Sequence, residues 1–417
     1  MPRTPRGSRL SALAAALLLS TPLAAPAARA ADPIKLGVLE DQSGDFAVAT
    51  IGKVHGIQLA ADEINAAGGI AGRKLELVIY DTQSDNTRYQ EFMRRVLQRD
   101  KVNAVFAGFS SASREAYRPI VDQLDGFAFY NNQYEGGVCD GHMVVTGAVP
   151  EQQFSTLIPW MMEKFGKRVY TIAADYNFGQ ISAEWVRNIV KENGGEMVGE
   201  EFIPLGVSQF SQTIQNIQKA KPDILMTLLV GTAQASYYEQ AAAANLKVPM
   251  GSSVNIGQGY EHKRFQPPSL ANMYVTTNYI EEVDSPSSKA FLAKWKAKFP
   301  NEPYVNQEAE NSYLAVYLYK QMVERAKSTD HDAIRKVIAE GDVCMDAPEG
   351  RVCIDPKSQH MSHTIYLAKV GEDHSISFPK VWDDIKPYWL GDVGCDLTKE
   401  NPEAQYTPSD NPMKSGG

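Results

Sequence analysis

From residue 34 onward, short apolar runs alternate with longer stretches in which apolar residues recur every three or four positions. The runs are typical of buried strands and the stretches of amphipathic helices. A regular strand–helix alternation predicts a parallel sheet with helices on both faces. The first series of predicted strands, which we call lobe one (31–150), consists of the runs IKLGVLE, KLELVIYD, VNAVFAG and FAFYN.

A second strand–helix series begins after residue 150 and predicts a second sheet, lobe two (151–273). It opens with a helix over 151–166 and continues with the runs RVYTIAAD, MVGEEFI, PDILMTLLV and VPMGSSV, each joined to the next by a predicted helix. The fold class is therefore α/β, with two doubly wound parallel-sheet lobes.

The chain continues well beyond lobe two. Residues 274–390 contain predicted helices near 287–299, 306–326 and 331–340, and the strand-like runs RVCID and HTIYLAKV. We expect this segment to return to lobe one, so that a hinge of several chain crossings joins the lobes. Residues 391–417 are expected to form a partly disordered tail, because NPEAQYTPSDNPMKSGG is polar and rich in proline.

The first thirty residues have the three-part pattern of a secretory signal peptide. Three arginines precede the apolar run LSALAAALLL, and small residues lead up to Ala30. We expect cleavage after Ala30 and export to the periplasm. The formal net charge of −9, without any long basic run, argues against a nucleic-acid partner.

The four cysteines would lie in an oxidising compartment, where disulfides persist. Cys344 and Cys353 flank a Pro-Glu-Gly turn, which suits a disulfide across a hairpin and leaves Cys139 to pair with Cys395. Four cysteines allow three pairings, and their spacing does not choose among them.

Polar residues follow five of the predicted strands. Because ligands of open α/β sheets bind beyond the carboxyl ends of the strands, two such edges facing each other predict a cleft that closes on a small molecule. Some of these residues, such as Thr232, would also serve as ordinary helix caps. The five segments are GFSSASR (108–114), YNNQYEGG (130–137), ADYNFGQ (174–180), LVGTAQ (229–234) and GSSVNIGQ (251–258).

Several stretches resemble the exported substrate-binding proteins of ABC importers in the leucine/isoleucine/valine-binding class. They include IKLGVLEDQSGDFA and AADEINAAGGIAGRKLEL, and the resemblance covers about residues 32–390. Within the class, GFSSASR, QYEG, GAVPEQQ and DAPEGRVCIDPKSQH are most similar to the urea and short-chain-amide binders. The resemblance implies a type I periplasmic binding protein, acting as a monomer that delivers a small ligand to a membrane permease.

The resemblance also implies ligand contacts from serine and tyrosine side chains at the strand ends. A neutral, planar amide needs hydrogen-bond donors and acceptors together with an aromatic face. The candidate ligand-binding residues are Ser110, Ser111, Tyr130, Asn132, Tyr134, Tyr176, Phe178, Thr232 and Ser253.

Ligand identity stays open at this stage. Amino-acid binders of the class place a carboxylate after the MG turn of lobe two, whereas this chain has MGSSV, although Asp175 or Glu135 could supply the charge. Compared with the urea binders, the chain also differs at NIGQ (255–258), PEQQ (150–153) and the Asn131-Asn132 pair. The alternatives are a branched-chain amino-acid binder and a periplasmic ligand sensor on the same fold.

No motif predicts an enzyme, a cofactor or a metal. The sequence lacks a GxGxxG after the first strand, a GxxxxGK[ST] phosphate loop, GxSxG and HExxH. His360 and His363 form an HxxH spacing, but in a strand-rich segment we expect them to have a structural role.

Overall fold

The computed structural model describes residues 7 and 32–410. The signal peptide expected over residues 1–30 and the end of the tail, 411–417, lie outside the described residues apart from residue 7. Residues from Asp32 onward belong to a single compact unit. None of the described helices is long and apolar enough to cross a membrane.

The described chain contains sixteen strands and twelve α-helices. The strands are β1 (Ile34–Glu40), β2 (Leu75–Asp81), β3 (Ala104–Ala107), β4 (Ala128–Tyr130), β5 (Val138–Cys139), β6 (Met143–Val145), β7 (Arg168–Ala174), β8 (Glu196–Ile203), β9 (Ile224–Leu228), β10 (Met250–Ser252), β11 (Met273–Thr277), β12 (Cys344–Asp346), β13 (Arg351–Cys353), β14 (His363–Val370), β15 (Ile376–Ile385) and β16 (Ala404–Gln405). The helices are α1 (Ala47–Ala66), α2 (Asn86–Arg95), α3 (Ser111–Gln123), α4 (Pro150–Phe165), α5 (Asn177–Glu192), α6 (Ser211–Ala220), α7 (Ala233–Ala243), α8 (Glu261–Arg264), α9 (Pro286–Lys298), α10 (Gln307–Ala326), α11 (His331–Glu340) and α12 (Trp389–Asp392).

Two large sheets confirm the predicted fold class. The first sheet has the order β2-β1-β3-β4-β6, and all its strand pairs are parallel. The second has the order β15-β14-β11-β10-β9-β7-β8, parallel from β8 to β11. Its last two strands, β14 and β15, pair antiparallel.

The segment after residue 273 does not return to lobe one as a whole. Its strands β11, β14 and β15 extend the second sheet. Its helix α10 packs along α1 of the first lobe, and residues 359–361 pair with Val145 of β6. Gly56 makes this helix pair possible, since a Cβ there would lie 2.3 Å from the carbonyl oxygen of Ala309. The strands join the second sheet because β14 is apolar on both faces and pairs with the otherwise open edge of β11.

Within residues 32–385, the chain passes between the lobes after β6, after β11 and before β14. The first and third crossings lie side by side: the backbone N–H of Val145 donates to the Gln359 carbonyl, and that of Met361 donates to the Val145 carbonyl. This arrangement is the multi-crossing hinge that the sequence predicted.

Two contacts attach residues 391–410 of the tail, which the sequence predicts to be partly disordered, to the rest of the protein. Strand β16 pairs antiparallel with β5, and a disulfide joins Cys139 to Cys395. The second disulfide, Cys344–Cys353, links directly opposed residues of the hairpin β12–β13. Composition does not show these two attachments.

The two disulfides should differ in their contribution to stability. In the chain-entropy account, the loop of separation 256 closed by Cys139–Cys395 is worth about 5.5 kcal/mol, against about 2.5 kcal/mol for the separation of 9 at Cys344–Cys353. Urea unfolding of the double serine variants should show the larger loss for C139S/C395S. Equal losses would contradict the prediction.

Candidate functional site

The carboxyl ends of both sheets face a small cavity between the lobes. Its volume is about 10 Å³, the space of one water-sized group. Lobe one contributes residues that follow β3 and β4, and lobe two contributes residues that follow β7, β9 and β10. The lining residues are Phe109, Ser111, Asn132, Gln133, Tyr176, Phe178, Val230 and Gln258.

A larger cavity of about 250 Å³ adjoins it and shares Phe109, Val230 and Gln258 with it. The larger cavity also takes residues from both lobes, and its lining contains both apolar and polar side chains. Besides the shared residues, it is lined by Gly44, Asp45, Phe46, Val48, Ala49, Gly231, Thr232, Gln234, Gly259, Glu261 and Arg264.

Aromatic rings form much of the wall between the lobes. The rings of Phe46 and Phe109 in lobe one have centroids 5.0 Å apart, and those of Tyr176 and Phe178 in lobe two lie 5.9 Å apart. Phe46, Phe109 and Phe178 belong to one apolar cluster with Val230, and Tyr176 packs against it. The cleft therefore offers ring faces from both sides, as an aromatic or planar guest requires.

The structure brings five of the nine candidate residues to the two cavities. Four of them line the small cavity: Ser111, Asn132, Tyr176 and Phe178. Thr232 lines the large one. The remaining candidates, Ser110, Tyr130, Tyr134 and Ser253, line neither.

Internal partners explain three of these placements. The Ser110 hydroxyl caps α3 by accepting from the Ser113 N–H, 3.0 Å away. The Tyr130 hydroxyl donates to the Phe109 carbonyl at 2.6 Å, and the Tyr134 hydroxyl lies 2.6 Å from Nε2 of His360. These groups hold the strand ends in position.

Ser253 is buried, and its hydroxyl has no hydrogen-bond partner among the described residues. Its carbonyl faces Gln153 Nε2, at 3.5 Å. It thus lies on the lobe-two side of the hinge, beside α4.

A buried ion pair lies behind the small cavity. The Arg114 guanidinium donates to Glu135 Oε1 at 2.7 Å, and both side chains are fully buried. Ser111 donates its hydroxyl to the other carboxylate oxygen, so the serine can offer a ligand only its lone pairs. Arg114 also lies over the ring of Tyr134, with its guanidinium carbon 4.6 Å from the centroid.

Two polar groups of the small cavity have no internal partner. No described residue hydrogen-bonds the side-chain amide of Gln133 or the hydroxyl of Tyr176. Burial raises the pKa of Tyr176 well above 10, so its hydroxyl keeps its proton. Asn132 donates to the Phe109 carbonyl at 2.8 Å, and its own carbonyl oxygen faces Gln258 Nε2 at 3.4 Å.

Glu308, on the first turn of α10, lies behind Gln258. Its Oε1 accepts from Gln258 Nε2 at 3.3 Å, while its Oε2 has no described partner. Burial raises the pKa of Glu308 to about 8, an effect that Lys53 opposes. Lys53 itself pairs with the buried Glu40 at 2.8 Å, and burial raises the pKa of Glu40 to about 7.

Sequence reasoning missed Phe46, Phe109, Gln133, Val230 and Gln258 as cleft residues. Four of them lie inside segments already assigned to strand ends, next to the polar residues that we selected. The sequence did contain a signal for them, because an aromatic residue directly after a strand at the cleft edge predicts a cleft contact as well as a hydroxyl-bearing residue does. Phe46 follows the first strand and reaches the cleft just before α1.

Comparison with known proteins identifies the family. Residues 33–375 match the family described as periplasmic binding protein. The chain belongs to that family. A Leu/Ile/Val-binding protein homolog 7 from Brucella suis biovar 1 is 26% identical over 360 residues, which cover 80% of this chain and 86% of that protein.

Solved structures of periplasmic binding proteins share the fold. A solute-binding protein of an ABC transporter from R. palustris, in complex with 4-hydroxybenzoate, aligns with a TM-score of 0.75 and 21% identity over 86% of this chain and 99% of that chain. The LivJ protein of Streptococcus pneumoniae, in complex with isoleucine, aligns with a TM-score of 0.72 and 21% identity over 85% and 100%. The fold is thus that of type I periplasmic solute-binding proteins.

Removing one member of the buried ion pair should be more harmful than removing both. Arg114→Met leaves Glu135 buried without its counter-charge, and we expect a loss of about 3–5 kcal/mol in the free energy of unfolding. The double variant R114M/E135Q carries no buried charge at this position and should recover part of that loss. Urea denaturation measures both; a double variant less stable than R114M would contradict the account.

Glu308 should make stability depend on pH. The pKa of Glu308 is raised in the folded protein, so the protonated carboxyl favours folding. This contribution to the free energy of unfolding is fully present below about pH 4.5, the ordinary pKa of the group. It is lost as the pH rises to about 8. Glu308→Gln should therefore raise the melting temperature relative to the wild type, more at pH 8.5 than at pH 5. Thermal melts across this range measure the difference.

The matched control is Glu239→Gln, which changes an exposed glutamate on α7. Its melting temperature should follow that of the wild type at every pH. A constant offset between E308Q and wild type would show that Glu308 does not titrate in this window.

Proposed function

We propose that this protein captures a small, uncharged solute with an amide or ureide head group and delivers it to the permease of an ABC importer. The observation that carries the proposal is the chemistry of the small cavity. Its unpartnered groups are the Gln133 amide and the Tyr176 hydroxyl, while the nearby charges of Arg114 and Glu135 neutralise each other. An uncharged cavity of this kind favours an uncharged guest, because a buried ion without a counter-charge is costly.

The shape of the cleft supports a guest with two parts. One polar end of the amide head would enter the small cavity, where Gln133 both donates and accepts and Tyr176 donates. The rest of the molecule would extend along Phe46 and Phe109 into the larger cavity. At about 250 Å³ that cavity lies below the usual range for drug-sized ligands, which supports a small solute.

Binding would shift the hinge towards the closed arrangement of the lobes, because the guest touches both sides of the cleft only when they are close. The family assignment supports a periplasmic carrier, and the resemblance to ABC-importer proteins supports a permease as its partner. We propose a monomer. In a sensor on the same fold, the closed form would instead dock on a receptor.

A branched-chain amino acid or another small carboxylate is the second candidate. The Leu/Ile/Val-binding relatives support it, and Arg264 in the larger cavity provides a cation for a carboxylate. Among the described residues, the Arg264 guanidinium donates a hydrogen bond to the Gly259 carbonyl alone, at 3.3 Å. For the ammonium group, Asp45 and Glu261 are the acids that line the same cavity.

Calorimetry on residues 31–417 separates the two candidates. The panel consists of urea, acetamide, longer amides, ureides, leucine, isoleucine and 4-hydroxybenzoate. Saturable binding of an amide or ureide, without binding of the amino acids, is the expected result. Tight binding of leucine or isoleucine without binding of any amide would replace the first candidate by the second.

Two single-site variants test where the head group binds. Gln133→Leu and Tyr176→Phe should each weaken binding of the amide about tenfold or more, because each leaves a buried polar group of the ligand unpaired. The matched control is Gln215→Leu, which alters an exposed glutamine of α6 and should bind like wild type. Wild-type affinity in both cleft variants would show that the ligand binds elsewhere.

A further inference from the structure

Three metal-ligating side chains converge on lobe one at the edge opposite the cleft. Asp125 precedes β4, His142 precedes β6 and His331 is the first residue of α11. One carboxylate oxygen and one nitrogen of each ring lie within 4.8 Å of one another. We propose that Asp125, His142 and His331 form a binding site for a divalent transition-metal ion, with zinc as the best-suited ion.

The hydrogen bonds of His331 leave one nitrogen available for a metal. Its Nε2 lies 3.0 Å from the Gly141 carbonyl, which can only accept, so Nε2 carries the proton. Nδ1 then presents its lone pair to Asp125 Oδ1, 3.3 Å away. Two acceptors that face each other repel unless a cation or a proton lies between them.

His142 also has one nitrogen bound to a backbone carbonyl. Its Nδ1 lies 3.0 Å from the Gly126 carbonyl and 4.0 Å from Asp125 Oδ1. Because the carbonyl can only accept, Nδ1 carries the proton and the free lone pair is on Nε2. Histidines that bind metals almost always donate their second nitrogen to a carbonyl or a carboxylate. His331 meets this condition with Nδ1 facing Asp125, whereas His142 would have to turn its ring to bring Nε2 to the ion. The centroids of the two rings lie 4.5 Å apart.

Burial and charge also suit a metal. The two histidine side chains are about nine-tenths buried, whereas that of Asp125 is 84% exposed and opens the site to solvent. Two imidazoles and one carboxylate are ligands that zinc, nickel and copper accept, and three protein ligands leave a position for water. The nearby Arg335 guanidinium, whose carbon would lie 2.7 Å from a Cβ at Gly141, adds a positive charge that limits the affinity.

The site would fasten three separate elements together. It would link the turn after α3, the turn before β6 and the first turn of α11, at sequence positions too distant for a spacing motif. Because the amino edge of the sheet lies opposite the cleft, the metal would stabilise lobe one without contacting the ligand. An ion that binds only the folded state raises its stability.

The test uses residues 31–417 without an affinity tag, treated with a chelator and then dialysed. Calorimetry with zinc chloride should give one site per chain, and zinc should raise the melting temperature. Asp125→Asn and His142→Gln should each weaken zinc binding about tenfold or more. Asp125 is exposed, so D125N should fold like wild type and report on the ligand alone.

The matched control is His55→Gln. His55 is a half-buried histidine of the same lobe that has one carboxylate neighbour, Glu302, at 2.9 Å. H55Q should bind zinc like wild type. The proposal is overturned if the wild type shows no saturable binding of zinc, nickel or copper, or if D125N and H142Q bind zinc as tightly as H55Q does.

Discussion

The ion pair between Arg114 and Glu135 is the contact on which the cleft depends. Both side chains are fully buried, and each joins segments that are distant in the chain. Glu135 accepts from Gln405 of the tail at 2.8 Å, and its carbonyl accepts from Trp185 of lobe two at 3.0 Å. The polar stretch YNNQYEGG is therefore mainly structural: it provides the acid that fixes α3, the tail and α5 around one point. Gly137 allows the tail to approach, since a Cβ there would lie 1.9 Å from the Tyr406 carbonyl oxygen.

This ion pair also determines the chemistry that remains for a ligand. A buried arginine and a buried glutamate that bind each other present no net charge to the cavity. The Ser111 hydroxyl donates its hydrogen bond to the same carboxylate. The groups left over are an amide and a phenol, which form directional but uncharged hydrogen bonds. Selectivity would then come from matching donors and acceptors in a dry site, where an unpaired polar group is costly. Charged groups such as Arg264 occur only in the larger cavity.

Sequence patterns predicted the secondary structure well and the contacts of single side chains poorly. Strand–helix periodicity is a local property, so β1, α1 and the helices up to α11, apart from the four-residue α8, could be located from it. Long-range pairing is not local: the edge of β11 that accepts β14, and the strand β5 that accepts β16, are defined only after folding. For the same reason, the sequence could not tell whether the hydroxyl of a tyrosine at a strand end faces the cavity or forms a hydrogen bond within the protein. Tyr176 lines the small cavity, whereas the hydroxyls of Tyr130 and Tyr134 form hydrogen bonds with the Phe109 carbonyl and the His360 ring.

The polar side chains at the crossings between the lobes are buried, and burial favours their uncharged forms. Asn278, on the second crossing, donates to Glu310 at 3.3 Å and to Glu349 at 3.2 Å, and Glu349 contacts His363 on the third crossing at 2.9 Å. Burial raises the pKa of Glu310 and of Glu349, and it lowers the pKa of His363 to about 3. Burial thus favours the neutral form of all three groups, so rotation of the lobes would exchange hydrogen bonds and would not separate strong ion pairs. A charge fixed at this position would have to be desolvated in every closed state, which would oppose closure of the lobes.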